Sequence, residues 1–186
     1  MTGRIIEVRF HGRGGQGAWT ASLLLARAGL KEKRHIQSFP TFGPERAGAP
    51  MAAYTRISDE PILLHSGVYE PDVVVVLDPT LLGSAVVDGV KPETKLVVNT
   101  DQTPEEVKER LGTEDAEMWV LDATSLALKV LGRPITNTAM LGAFVRATGI
   151  VKLESLLEVA RERFSGRVGE MNLEVIETAY KEVVRG

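Results

Sequence analysis

A glycine-rich loop near the N-terminus restricts the fold of this chain more than any other feature. Residues 4–10 broadly alternate apolar and polar side chains, as a strand does, and the segment HGRGGQG follows at residues 11–17. From Ala18 the apolar residues recur at three- and four-residue spacing, which indicates an amphipathic helix ending near Gly29. A strand, a glycine loop and a helix in this order predict the start of a βαβ unit.

The remaining pattern predicts an α/β fold, with most strands before most helices. Strands are expected at residues 35–39, 51–57, 61–64, 72–77, 95–99 and 117–121, and helices at 103–111, 122–131, 137–148, 153–164 and 168–184. The Val/Leu run at 73–77 is typical of a mid-sheet strand, and the strands at 51–57 and 61–64 are expected to pair antiparallel. We therefore predict a single domain over residues 1–186, with three α/β/α layers, a Rossmann-like start, a mixed but mostly parallel sheet and a helical C-terminal part.

Composition excludes several classes of function. The 186 residues include no cysteine, which excludes disulfides, iron–sulfur ligation, thiolate zinc sites and a cysteine nucleophile. With 22 basic against 25 acidic residues and a net charge of -3, the chain gives no reason to expect nucleic acid as a partner. The longest apolar run is far below the roughly 18 residues of a membrane helix, so we expect no membrane partner and a cytoplasmic location. Only three Asn and three Gln suggest a thermophile.

The glycine loop is a candidate anion site. Gly12, Gly14 and Gly17 match the spacing G-x-G-x-x-G, which lets the backbone and a helix N-terminus approach a phosphate, and Arg13 adds a positive charge. The alternative is a tight turn that serves packing alone. A nicotinamide site also needs an acid about 20 residues on, at the end of the second strand. Residues 36–39 read IQSF, so the sequence disfavours that cofactor.

No complete catalytic set is visible elsewhere. His11, His35 and His65 have no metal-ligand spacing and are expected to be ordinary structural histidines, although His11 adjoins the glycine loop. A G-x-S-x-G elbow and a P-loop lysine–serine pair are both absent. We therefore predict no catalytic residue and no metal site, and a chain that holds a ligand while another chain does the chemistry.

A second loop, at residues 40–50, contains three prolines and two glycines, which oppose regular structure. Such a loop is either functional or a rigid crossover between strands. Glu45 and Arg46 have no structural explanation from the sequence.

The two loops together resemble those of the gamma subunits of 2-oxoacid:ferredoxin oxidoreductases, and most closely the pyruvate:ferredoxin oxidoreductases. The resemblance begins with residues 10–17 and 42–50 and continues through 73–78, 99–101 and 133–143, so it spans essentially the whole chain. Ala47 departs from the pattern of the pyruvate enzymes, which often have a second arginine there.

The resemblance implies one subunit of a complex with alpha, beta and delta chains. In such enzymes thiamine diphosphate and Mg²⁺ lie between alpha and beta, iron–sulfur clusters lie on beta and delta, and pyruvate and coenzyme A yield acetyl-CoA and CO2 while ferredoxin is reduced. This chain would hold no cofactor alone but would contribute to binding coenzyme A, the cosubstrate. The implied binding residues are Gly12, Arg13, Gly14, Gly15, Gln16 and Gly17, then Phe42, Gly43, Pro44, Glu45 and Arg46, and Asn137.

Three alternatives stay open on the sequence. The chain is the gamma subunit of a branched-chain 2-oxoacid enzyme, a stand-alone dinucleotide-binding protein of Rossmann type, or an assembly scaffold whose glycine loop touches no ligand. The missing acid at the second strand argues against the dinucleotide-binding protein alone.

Overall fold

The computed structural model describes residues 4–41 and 47–186, which contain seven strands and seven α-helices. The strands are β1 (Ile6–Arg13), β2 (His35–Pro40), β3 (Pro50–Ser58), β4 (Val73–Val76), β5 (Lys95–Asn99), β6 (Glu117–Leu121) and β7 (Val184–Arg185). The helices are α1 (Ala18–Lys31), α2 (Ser84–Val87), α3 (Pro104–Leu111), α4 (Ala123–Leu131), α5 (Asn137–Thr148), α6 (Leu153–Arg163) and α7 (Gly166–Glu182).

The seven strands form one mixed sheet in the order β2-β3-β1-β4-β5-β6-β7. Strands β1, β4, β5 and β6 run parallel to their neighbours in this group. Strand β3 is antiparallel to both β1 and β2, and β7 is antiparallel to β6. The predicted mixed sheet with a parallel centre is therefore confirmed.

Helices pack on both faces of the sheet, as a parallel sheet requires. Side chains of α1 and α4–α7 join one apolar cluster on the first face, and those of α2 and α3 join a second cluster on the other face. The valines of β4 alternate between the two clusters, with Val73 and Val75 on the first face and Val74 and Val76 on the second. This double burial explains the apolar run in the sequence and confirms the three-layer fold.

Local capping signals fix the ends of several helices. The Thr103 side chain accepts from the Glu106 N–H while the Glu106 carboxylate accepts from the Thr103 N–H, and Pro104 occupies the first turn. Gly112 ends the same helix in the left-handed region. No helix of the described residues combines the length and apolar character needed to cross a bilayer.

Two predicted strands differ from those observed by more than one residue at an end, and residue 184, predicted as the last of a helix, belongs to β7. Residues 61–64 form no strand, so the expected antiparallel pair of 51–57 with 61–64 is wrong. The reason is that both edges of β3 are already paired, one to β1 and one to β2. The first strand runs on to Arg13 because it pairs with β3 along its whole length, so Gly12 lies in the strand and the turn occupies only residues 14–17.

Candidate functional site

The glycine loop connects the carboxyl end of β1 to the first turn of α1. Gly15 and Gly17 adopt φ values of 96° and 83°, which L side chains rarely reach. Gly17 is the N-cap of α1, with no side-chain cap and no acidic residue in the first turn. The first N–H groups of α1 therefore lack the side-chain partner that Ser, Thr, Asn or Asp usually supplies.

The loop is held to the end of β4 by one carboxylate. Asp78 accepts a hydrogen bond of 2.6 Å from Gln16 Nε2 and lies 3.2 Å from Arg13 Nε. Gln16 in turn accepts from the Arg13 N–H at 2.7 Å. Arg13 also donates to Thr80 Oγ1 at 2.8 Å, so its guanidinium is engaged within the chain rather than free.

The described end of the second loop lies beside the glycine loop. Gly14 donates its N–H to Ala49 O at 2.9 Å and accepts from the Gly48 N–H at 3.0 Å. Arg13 adds a side-chain bond to Gly48 O. The two loops are therefore adjacent at residues 48 and 49. The candidate residues Phe42, Gly43, Pro44, Glu45 and Arg46 lie outside the described residues.

Asn137, far away in the sequence, also contacts the glycine loop. It begins α5, is 6% exposed, and accepts from the Thr138 N–H at 2.8 Å. A Cβ added at Gly17 would lie 2.6 Å from Asn137 Nδ2. Glycine at position 17 is therefore needed for this packing as well as for its backbone angle, which gives the loop a structural role whether or not it binds a ligand.

The loop lies at the point where the connections change sides of the sheet. Helix α1 follows β1 on one face, whereas α2 follows β4 on the other. Ligands of open α/β sheets bind in such crevices, outside the carboxyl ends of the strands. In a dinucleotide-binding fold the second strand adjoins the first, but here β3 separates β2 from β1. This arrangement argues against the alternative that the chain is a stand-alone dinucleotide-binding protein of Rossmann type.

An open cleft of about 1800 Å³ extends from the glycine loop across the second face of β1, β3 and β2. Alternating positions of β1 contribute Arg9, His11 and Arg13 to its lining, and β3 contributes Tyr54 and Arg56. Arg9 and Arg56 were not among the site residues predicted from the sequence. The available signal for Arg9 was the alternation that places polar residues at 7, 9, 11 and 13, on one face of the strand.

His11 is buried in this lining. Burial, and secondarily the charge of Arg9, lower its pKa from 6.5 to about 4, so the imidazole is neutral at physiological pH. Its Nε2 is buried without a hydrogen-bond partner.

The other two histidines, His35 and His65, are exposed. Within residues 4–41 and 47–186, no cluster of His, Cys, Asp or Glu is arranged to hold a metal ion.

Comparison with known proteins shows the family of this chain. The model of the pyruvate ferredoxin/flavodoxin oxidoreductase family matches residues 7–182. The pyruvate/ketoisovalerate oxidoreductases common subunit gamma of Thermococcus kodakarensis is 52% identical over 181 residues, or 97% of this chain and 98% of that protein. The pyruvate synthase subunit PorC of Methanothermobacter marburgensis is 46% identical over 180 residues, or 96% of this chain and 98% of that protein.

Two solved structures superpose on this fold. The crystal structure of the pyruvate oxidoreductase subunit PORC of Thermotoga maritima superposes with a TM-score of 0.90 at 42% identity, covering 98% of this chain and 99% of that one. The 2-oxoglutarate:ferredoxin oxidoreductase of Magnetococcus marinus superposes with a TM-score of 0.74 at 21% identity, covering 97% of this chain but only 31% of that one. The second likeness shows a shared fold alone.

The chain therefore belongs to the pyruvate ferredoxin/flavodoxin oxidoreductase family. Within that family it is a gamma-type subunit of a pyruvate:ferredoxin oxidoreductase complex, and it works together with other subunits.

Proposed function

We propose that this subunit binds a phosphate of coenzyme A at the start of α1, while the redox chemistry of the complex takes place on other subunits. The observation that carries the proposal is the uncapped N-terminus of α1, which lines an open cleft. Backbone N–H groups and the positive end of the helix dipole attract an anion at such a position. Coenzyme A supplies phosphates of that kind.

The ion pair of Arg13 and Asp78 makes the loop electrostatically suitable for a phosphate. Asp78 alone would repel an anion near the start of α1, but its charge is offset by Arg13 at 3.2 Å. The main contacts with the phosphate are therefore assigned to the backbone of residues 15–18, with Arg13 holding the loop in shape. Gln16 and Asn137 support the loop through the contacts described above.

The remaining chemistry is assigned to partner chains. Without cysteine this chain cannot ligate an iron–sulfur cluster through thiolates, so the residues present do not fit that group. The proposal places clusters on beta and delta subunits, and thiamine diphosphate with Mg²⁺ between alpha and beta. The cytoplasmic complex converts pyruvate and coenzyme A to acetyl-CoA and CO2 and passes two electrons to ferredoxin.

A second substrate assignment has its own support. Relatives about half identical to this chain are named as a gamma subunit common to pyruvate and ketoisovalerate oxidoreductases. The same chain would then also serve a branched-chain 2-oxoacid enzyme. Purification of the native complexes through a tag on this subunit, followed by identification of the associated chains, distinguishes one set of partners from two.

The proposed phosphate site is tested by Gly15→Ala in the reconstituted complex. A Cβ at Gly15 meets no other atom within 4 Å. The added methyl group therefore strains only the local backbone, and it obstructs the approach of a phosphate to the loop. We expect the KM for coenzyme A to rise about tenfold, equivalent to about 1.4 kcal/mol, with the KM for pyruvate unchanged.

Gly132→Ala is the matched control for that experiment. Gly132 also has a positive φ, of 68°, and open space around its Cβ position, but it lies at the end of α4 outside the cleft lining. If both variants keep the wild-type KM for coenzyme A, the glycine loop is structural and the assembly-scaffold alternative is favoured.

The second loop keeps its predicted role as a proposal. Arg46 would bind a coenzyme A phosphate or pair with a carboxylate of a partner chain, and Phe42, Gly43, Pro44 and Glu45 are proposed as further binding residues. Arg46→Ala is expected to weaken coenzyme A use or assembly by roughly tenfold to a hundredfold. Wild-type values for both properties would exclude this role.

A further inference from the structure

A threonine that follows β4 holds the side chain of Arg13. Thr80 lies in the short 3₁₀ helix Pro79–Leu81, is exposed, and lines the cleft beside the glycine loop. Its Oγ1 accepts hydrogen bonds from Arg13 Nη2 at 2.8 Å and from Arg13 Nε at 3.3 Å. This contact therefore ties the end of β1 to the segment that follows β4.

The hydroxyl group of Thr80 has a fixed direction, because its proton is used on a second partner. Thr80 Oγ1 donates to Asp78 Oδ1 at 2.6 Å, and the Thr80 N–H donates to the same oxygen at 2.9 Å. A hydroxyl group has one proton and two lone pairs, so both lone pairs remain for the guanidinium of Arg13. The hydrogen bonds at Thr80 Oγ1 therefore restrain this side chain and aim it at Arg13.

Arg13 transmits this restraint to the second loop. The guanidinium group is planar and rigid, so fixing Nε and Nη2 also fixes the direction of Nη1. Arg13 Nη1 donates to the carbonyl oxygen of Gly48 at 3.1 Å. One side chain thus connects the segment after β4 with residue 48.

Gly48 is held at this junction by its backbone groups. Its N–H donates to Gly14 O at 3.0 Å, and its carbonyl accepts from Arg13. A Cβ at Gly48 would meet no atom within 4 Å, so hydrogen bonds rather than packing at that position hold its backbone. Because Gly14 belongs to the glycine loop, a shift of Gly48 would reach that loop directly.

We propose that Thr80 is a positioning residue of the coenzyme A site, which holds the Arg13 guanidinium against Gly48 O and so keeps the two loops in one arrangement. Thr80 acts through Arg13 and does not contact the cosubstrate. The inference rests on the proposed binding of a coenzyme A phosphate at the start of α1. It assigns Arg13 to the structure of the loops, since Nε, Nη1 and Nη2 all have partners within the chain.

The coupling is tested with Thr80→Val, which replaces the hydroxyl group by a methyl group of similar size. In the reconstituted complex without coenzyme A, we expect amide hydrogen exchange at Gly14 and Gly48 to become about threefold faster or more, because Arg13 loses its support. Thr80→Ser keeps the hydroxyl group and should restore the wild-type rate. This measurement does not depend on where coenzyme A binds.

The same variants are then compared in turnover. We expect Thr80→Val to raise the KM for coenzyme A by about threefold to tenfold, with the KM for pyruvate unchanged, and Thr80→Ser to stay close to wild type.

Thr113→Val is the matched control, because it makes the same replacement at a hydroxyl group that is buried without a hydrogen-bond partner. Thr113 lies just beyond the end of α3 and outside the cleft lining. This variant should keep the wild-type exchange rates and the wild-type KM for coenzyme A.

Three results would overturn the proposal. Wild-type exchange in Thr80→Val would show that Arg13 holds Gly48 without Thr80. Equal behaviour of Thr80→Val and Thr80→Ser would show that the hydroxyl group is not responsible. A lower KM for coenzyme A in Thr80→Val would show that the released Arg13 binds a phosphate directly.

The Gly15→Ala variant separates this inference from the proposed phosphate site. A wild-type KM in Thr80→Val together with a raised KM in Gly15→Ala would overturn the role of Thr80 and leave the phosphate site supported. Wild-type KM values in both variants would overturn the phosphate site and, with it, the positioning role.

Discussion

At the scale of single residues, Asp78 shows how one side chain shapes a loop. Burial alone would raise the pKa of Asp78, but hydrogen bonds from Thr80 and Gln16, together with the charge of Arg13, lower it overall. The ionised carboxylate therefore stabilises the folded state above the ordinary pKa of aspartate. This contribution is lost as the pH falls through the lowered pKa.

Removing this carboxylate leaves its hydrogen-bond donors without an acceptor. We expect Asp78→Ala to lower the free energy of unfolding by about 1.5–3 kcal/mol at pH 7, measured by urea denaturation. Asp59→Ala is the comparison, because its ion pair with Arg34 involves an 81% exposed carboxylate and is worth about 0–1 kcal/mol. Equal losses in the two variants would show that the Asp78 network adds nothing beyond a surface pair.

The lowered pKa of His11 predicts that the folded protein loses stability in acid. Its pKa of about 4 lies below the ordinary 6.5, so between these values the unfolded chain binds more protons and stability falls as the pH falls. The full effect is about 3 kcal/mol, reached near pH 4. We expect His11→Gln to lose stability less steeply than wild type between pH 6.5 and 4. Parallel stability curves over that range would refute this assignment.

At the scale of elements, the packing of α5 on α7 depends on the absence of one methyl group. A Cβ at Gly142 would overlap the Ile176 carbonyl, which belongs to the backbone of α7 and cannot move alone. We expect Gly142→Ala to cost about 1–3 kcal/mol despite the better helix propensity of alanine, measured as a lower urea midpoint.

Gly29→Ala is the control for the helix effect. Gly29 is also a helical glycine, but its Cβ would meet side-chain atoms of Ile36 and Ile57, the nearest at 3.2 Å. These side chains can adjust, so this variant should lose less stability than Gly142→Ala. If Gly29→Ala proves the more damaging change, close approach of the two helices is not what limits position 142.

At the scale of the whole molecule, the chain is expected to be dependent on its partners for activity. Expressed alone, it should be colourless and should not reduce a viologen dye with pyruvate and coenzyme A. Its sequence has no cysteine for a cluster, and the proposal places thiamine diphosphate elsewhere. Absorbance and the dye assay measure both properties, with the complete complex as positive control. Pyruvate-dependent turnover by the isolated chain would contradict the proposed division of labour.

The single-domain organisation of residues 1–186 also stays a prediction. The connected sheet and the apolar cluster that joins α1 with α4–α7 favour one cooperative unfolding transition. Circular dichroism and tryptophan fluorescence should then report the same midpoint, and separate midpoints would indicate more than one unit.

Local patterns in the sequence were enough to predict many of the strands and helices. Strands β5 and β6 and helix α5 have the predicted bounds, because their apolar runs end at clear polar, glycine or capping residues. The cap at Thr103 is also a local signal, because Pro104 and Glu106 follow it within the first turn. The glycine loop and the family resemblance were likewise available from sequence, since both consist of contiguous motifs.

Tertiary structure decided which distant segments meet. It inserted β3 between β1 and β2, left residues 61–64 without a strand partner, and brought Asp78 to Gln16 and Asn137 to Gly17. Strand neighbours and the partners of buried charges depend on the competition among all segments for the same sheet edges and core positions. Local patterns do not encode the outcome of that competition, so only the folded chain shows the cleft and which residues line it.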